Sequence, residues 1–238
     1  MARKALSSEI GNPGPADSGT LRAVDATDDR EERVEFLRSA AADCTACPLH
    51  AARTRVVFGE GNPRSPLAIV GEGPGETEDR LGRPFVGRAG SLLDECLREC
   101  GITRKHVFIT NVVRCRATLR DGERLMNRAP TPEESQTCAR KWLHPTLDAI
   151  QPLVVLCVGG PSASTLIRAG FRILSERGGF HAIPGGRTAI ATLHPAYILR
   201  QQGTEFDRCR QLLVDDIEAA RRKVIELRKA PPTSLFTP

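Results

Sequence analysis

Four short apolar runs recur at wide intervals along the chain: LAIV from Leu67, HVFIT from His106, LVVLCV from Leu153 and TAIATL from Thr188. Each has the length and β-branched character of a strand. Between them lie segments of helical period: GRAGSLLDECLREC from Gly87, TPEESQTCARKWLHPTLDAI from Thr131 and PSASTLIRAG from Pro161. The second opens with Thr131, Pro132 and Glu134, which together mark a helix start. An earlier helix carrying Val34, Leu37 and Ala41 delivers the chain to Cys44. A last one, over about 206–228, turns Leu212, Leu213, Ile217 and Val224 inward. Strands alternating with helices predict an α/β fold, a three-layer α/β/α sandwich around a central, mainly parallel four-stranded sheet. Such sheets take ligands off the carboxyl ends of their strands. Here those ends carry Glu72, Asn111 and His194.

The first stretch of the chain is rich in Gly, Pro, Ser, Ala and Asp without period, so residues 1–32 are expected to be a flexible extension. Residues 33–230 then form one domain, followed by a tail over 231–238. A length of 238 residues with 40% hydrophobic content supports a core of that size. Lys and Arg exceed Asp and Glu by 34 − 29 = 5, a mild excess compatible with a polyanion partner. No apolar run approaches the roughly 18 residues of a membrane span, and no secretory signal is visible. A cytoplasmic protein with no membrane partner, and a monomer, is expected. In that compartment thiols stay reduced, so clustered cysteines read first as metal or cluster ligands.

The strand LAIV runs directly into GEGPGETED. A dinucleotide fingerprint fails, because the third glycine position is Glu76, and a phosphate loop fails for want of Gly-Lys-Ser/Thr. The acids Glu72, Glu76, Glu78 and Asp79 would repel a pyrophosphate, so the close backbone approach is expected to be to something neutral, planar or developing positive charge. Cys44 and Cys47 form a C-x-x-C pair, and Cys115 and Cys138 could complete four thiolates if the fold unites them. Spacing alone leaves zinc and an iron–sulfur cluster both open. Cys96, Cys100, Cys157 and Cys209 sit in apolar surroundings and are expected to be core thiols. His194, held before Pro195 at a strand end, is a rigidly aimed imidazole. His50, His106, His144 and His181 have no comparable setting.

Taken in order, CTACPL, GEGPGETEDRLGRPFVGRAGSLLD, ITNVVRCR, NRAPTPEE with the later Cys138, and HPAYILR resemble the family-4 uracil-DNA glycosylases, the iron–sulfur branch of that superfamily, over about 44–215. The resemblance implies a DNA repair enzyme that flips uracil out of single- or double-stranded DNA and hydrolyses its N-glycosidic bond. It further implies Cys44, Cys47, Cys115 and Cys138 as ligands of a structural [4Fe-4S] cluster and Phe85 as the aromatic stacked on the base. Asn111 becomes the amide that reads the base, and Glu72 and His194 the catalytic residues. Gly73, Glu76 and Asp79 join the substrate-binding loop, and Arg80, Arg83, Arg88 and Arg200 are candidates for DNA phosphates. One departure stands out: RATLRDGERLMNRAP is longer than the family's usual Arg-Pro turn, puts Ala117 where proline is common, and adds Arg120 and Arg124. Related X-type proteins carry there a histidine that traps the sugar covalently, but no histidine lies between Cys115 and His144. Ordinary turnover is therefore expected; the alternative is a DNA-binding protein that recognises uracil or abasic sites with little turnover or with covalent trapping.

Overall fold

A computed structural model describes residues 29–122 and 124–229; of the expected extension over 1–32, residues 1–28 lie outside the described residues while Arg30, Glu31 and Glu32 belong to the first helix, and the tail over 231–238 also lies outside. The chain starts with helix α1 (Arg30–Ala41), a 3-10 turn at Pro48–Ala51, and strands β1 (Glu60–Gly61) and β2 (Leu67–Gly71). Helices α2 (Glu76–Leu81) and α3 (Arg88–Glu99) lead to β3 (Phe108–Asn111), followed by a hairpin of β4 (Thr118–Asp121) and β5 (Arg124–Asn127). Next come α4 (Pro132–Cys138), α5 (His144–Ile150), β6 (Val154–Val158), α6 (Gly160–Leu166) and α7 (Ile173–Glu176). The chain closes with β7 (Phe180–Ile183), β8 (Arg187–Thr192), α8 (Pro195–Ile198) and α9 (Gly203–Lys229).

The four strands read from the apolar runs form the parallel centre of the sheet, in the order β3-β2-β6-β8. The expectation of four strands is nevertheless corrected to six, since antiparallel β1 and β7 close the two edges. Neither edge could announce itself by periodicity. β1 has two residues, and β7 shows water all but Ile183, so it lacks a buried face. Side chains alternate across the sheet. Ala68, Val70, Phe108, Val155 and Ala191 meet Leu143, Leu147 and Trp142 in one core, whereas Ile69, Ile109, Leu156 and Ile190 meet Leu93, Leu97, Leu213 and Ile217 in the other. This is the expected three-layer arrangement.

The helix expected from Thr131 is interrupted. Thr131 accepts from the Glu134 amide and the Glu134 carboxylate accepts from Thr131 N–H, a complete capping box, yet residues Ala139–Leu143 widen into a π-turn before α5. Pro145 lacks the N–H that a regular turn needs there, so the ladder is redrawn around it. Cys96, Cys157 and Cys209 are buried and Cys100 is half-buried, as core thiols should be.

Candidate functional site

From β2 the chain steps outward to β3, then returns across β2 to β6 and moves the other way to β8. The reversal leaves a crevice off the carboxyl ends of the parallel strands, where α/β sheets bind ligands. A cleft of about 830 Å3 opens there, lined among others by Glu72, Gly73, Glu76, Phe85, Asn111 and His194. The strand-end trio and three more of the expected residues thus share one cavity of ligand size.

Asn111 ends β3 opposite Gly71 and is 2% exposed. Its side-chain amide has no protein hydrogen-bond partner among the described residues, which leaves donor and acceptor free toward the cleft. Glu72, just past β2, likewise makes no ion pair or side-chain hydrogen bond among them. Burial alone raises its pKa above the usual carboxylate value. His194 caps α8: its Nδ1 accepts from the Ala196 N–H at 3.1 Å. Burial first, then the nearby Arg200 charge, push its pKa down to about 4. The ring is therefore neutral near pH 7 with its proton on Nε2, a donor. Phe85 meets His194 with ring centroids 5.8 Å apart at 30°.

Phe85 occupies the left-handed backbone region, with φ at 51°. Such strain persists only where neighbours enforce it. The enforcers are Arg104, which donates to the Phe85 carbonyl and, at 3.0 Å, to the Pro84 carbonyl, and Gly90, where a Cβ would stand 1.7 Å from that same Phe85 oxygen. The glycines of GEGPG have an equally internal reason. A Cβ on Gly71 would lie 2.4 Å from Asn111 Oδ1 and 2.5 Å from Phe85 Cζ; one on Gly73 would meet Val113, and one on Gly75 would meet Glu78. The close approach read from the sequence is thus made by the protein's own side chains. Gly71→Ala is expected to displace both Asn111 and Phe85 and lower kcat/KM on the substrate assigned below by about 10- to 100-fold, on the scale of the 1–3 kcal/mol typical of overpacking. Steady-state kinetics on a folded variant check it.

Asp79 is corrected. Placed by its motif in the binding loop, it lies outside the cleft lining, 3% exposed, with its carboxylate accepting the Thr54 N–H at 2.9 and 3.0 Å and the Arg55 N–H at 3.4 Å. It ties the segment after the C-x-x-C pair to α2. Asp79→Ala should lower stability by about 1–3 kcal/mol through orphaned amides while leaving KM unchanged, measured by thermal melts beside kinetics. Glu78, read from the sequence only as one of the acids that exclude a pyrophosphate, clasps the Val86 and Gly87 N–H groups at 3.0 and 2.8 Å and so fixes the Phe85 loop. Its position in the acidic motif was the available signal. Glu76 pairs with Arg116 at 3.1 Å on the cleft wall, and Arg116 also holds Asn127 of the hairpin. Of the phosphate candidates, Arg88 and Arg200 line the cleft, Arg80 is exposed outside its lining, and Arg83 is engaged with Glu60.

Away from the cleft lining, Cys44, Cys47, Cys115 and Cys138 line a single small hollow with Arg53, Arg114 and Trp142. Trp142 Nε1 donates to Cys44 Sγ at 3.2 Å and Arg53 to Cys115 Sγ at 3.5 Å. Burial raises the Cys115 thiol and pushes Cys138 up to about 11. Among the described residues, no three Cys, His, Asp or Glu side chains stand close enough to grip one metal ion; the thiols line the wall of the hollow. Arg114 is 1% exposed, and its Nε has no partner.

Residues 58–225 match the family model of the uracil DNA glycosylase superfamily. A Type-4 uracil-DNA glycosylase of Thermotoga maritima is 44% identical over 193 residues, covering 81% of this chain and 95% of the relative. Proteins of the same name from Archaeoglobus fulgidus and Pyrobaculum aerophilum are 36% identical over 200 residues and 38% over 166, covering 81% and 67% of this chain and 92% and 81% of theirs.

Proposed function

The chain belongs to the uracil DNA glycosylase superfamily, and from that premise we propose that its rim cleft takes up a uracil nucleotide swung out of DNA and hydrolyses the C1′–N1 bond, leaving an abasic site. The observation that carries this is the convergence of Glu72, Phe85, Asn111 and His194, from four separate segments, on one cleft.

Breaking the bond builds positive charge on the sugar and negative charge on the uracil ring, so an anionic and a donor face must surround one nucleotide. Glu72 supplies the anion. Its raised pKa makes it a better proton acceptor than an ordinary carboxylate, suited to orienting and deprotonating water beside C1′. Neutral His194 donates Nε2–H to uracil O2 as charge grows there. The free Asn111 amide donates to O4 and accepts from N3–H; cytosine would present a donor and a bare N3 to the same groups and leave them unpaired. Phe85 stacks on the base and returns roughly 1–3 kcal/mol of the unstacking that flipping requires. Arg88 and Arg200 on the cleft wall meet phosphates.

The cysteine hollow fits an iron–sulfur group. Four thiols set round a wall suit one thiolate per iron better than a zinc ion, which needs every sulfur about 2.3 Å from one point. Arg53 and Arg114, neither paired with a carboxylate among the described residues, complement a net negative occupant, and the orphaned Arg114 Nε marks the same need. A [4Fe-4S] cluster held by Cys44, Cys47, Cys115 and Cys138 supplies a structural cross-link there.

Multiple-turnover release of free uracil from a labelled oligonucleotide tests the activity, and tight binding without released base would overturn it. In the same assay Asn111→Asp should lose about 10- to 100-fold in kcat/KM for uracil, the scale of one or two buried hydrogen bonds. Unchanged selectivity against cytosine would remove Asn111 from base reading.

A further inference from the structure

Hydrogen bonds, relayed through the Trp142 residue itself, run from Asn111 in the cleft lining to Cys44 in the cysteine hollow. Arg114 donates through NH1 to the Asn111 carbonyl at 2.7 Å and to Thr110, and through NH2 to Thr146 Oγ1 at 3.2 Å. The Thr146 hydroxyl donates to the Trp142 carbonyl at 2.5 Å, and the Trp142 indole donates to Cys44 Sγ at 3.2 Å. Every member except Cys44 is buried.

The guanidinium carries a permanent charge. It sits 5.1 Å over the Phe58 ring, a weak partner for so deeply buried a cation. Its compensation must come mainly from the hollow it lines. A buried charge of this kind holds its position only while its counter-charge is present.

Resting on the reading of cleft and hollow given above, we infer that Arg114 is a positioning residue: it makes the placement of the base-reading Asn111 depend on the anionic group in the cysteine hollow, through Thr146 and Trp142. An empty hollow leaves the guanidinium without its counter-charge, so it shifts and takes the Asn111 carbonyl with it. The cluster thereby supports uracil recognition, and not only the fold.

The test uses the full chain purified anaerobically, with three readouts: the visible absorption of the cluster, the Kd for DNA carrying a non-cleavable uracil nucleotide, and kcat and KM for uracil and cytosine release. Thr146→Val removes one link without touching cleft or thiols. It should keep the cluster absorption while weakening uracil-DNA binding and raising KM about tenfold, within the range that residues coupling two sites contribute. Arg114→Lys, which keeps the charge but loses the fork, should do more. Oxidative removal of the cluster from the wild type should weaken binding similarly, and removal from Thr146→Val should add little, because both changes break one chain. Undiminished binding and selectivity in both variants with the cluster retained, or fully additive effects, would overturn the inference and leave the glycosylase reading standing. Should Arg114→Lys fail to fold, Thr146→Val decides alone. A wild-type protein that releases no uracil would instead count against the reading of the cleft.

Discussion

Glu72→Gln is expected to lower kcat for uracil release by about 10²- to 10⁴-fold, the range a positioned general base contributes, with little change in KM. The substitution keeps shape and hydrogen-bonding capacity while removing the charge and the proton-accepting oxygen, so it isolates chemistry from binding. No cation offsets the burial of Glu72 among the described residues, and its pKa is raised for that reason alone. The active form is the anion. Activity should accordingly fall with decreasing pH along a limb that lies above 4.5, the ordinary value for this side chain, and that limb should be missing from the residual activity of the variant. A Glu72→Gln enzyme with full kcat would show that the charge does not act in the reaction.

His194→Ala should reduce kcat by about 10²- to 10³-fold, the loss seen when one donor to a developing oxyanion is removed. The pH dependence carries the sharper information. With its pKa at about 4, the imidazole stays neutral through the working range, so wild-type activity should show no step near 6.5 attributable to it. A limb near 6.5 that disappears in His194→Ala would mean that the charged ring is the catalyst. The same shift bears on stability. Between about 4 and 6.5 the unfolded chain binds this proton and the folded chain does not, so this group makes the protein less stable as pH falls through that window. Denaturant melts of wild type and His194→Ala at pH 7 and pH 5 should show the variant losing less on acidification.

Several features were written plainly in local patterns. Strands β2, β3, β6 and β8 are apolar runs of strand length, and α3, α4 and α9 carry their own caps or stripes, so the parallel centre and its helical covers follow from short-range rules. The residues at the strand ends were legible for the same reason: in this topology a polar residue just past an apolar strand has one place to go. Edge strands escaped because β1 and β7 are made by pairing, which a neighbour supplies and a periodicity cannot. The π-turn before α5 escaped as well, because the Pro145 that accompanies it leaves open whether a helix ends or widens.

The sequence by itself determined the fold class, the four cysteines worth considering together, and the rim on which Glu72, Asn111 and His194 meet, because periodicity and motif order are local properties of the chain. Tertiary structure alone decided the rest. Only packing shows that Asp79 turns away to hold Thr54 and Arg55, that the motif glycines make room for Asn111, Phe85, Val113 and Glu78, and that His194 is buried with its Nδ1 accepting from the Ala196 N–H. Only packing joins Arg114 to both the cleft and the thiols. The physical reason is shared: burial, hydrogen-bond partnership and steric contact depend on residues distant along the chain, and no window of sequence contains both partners.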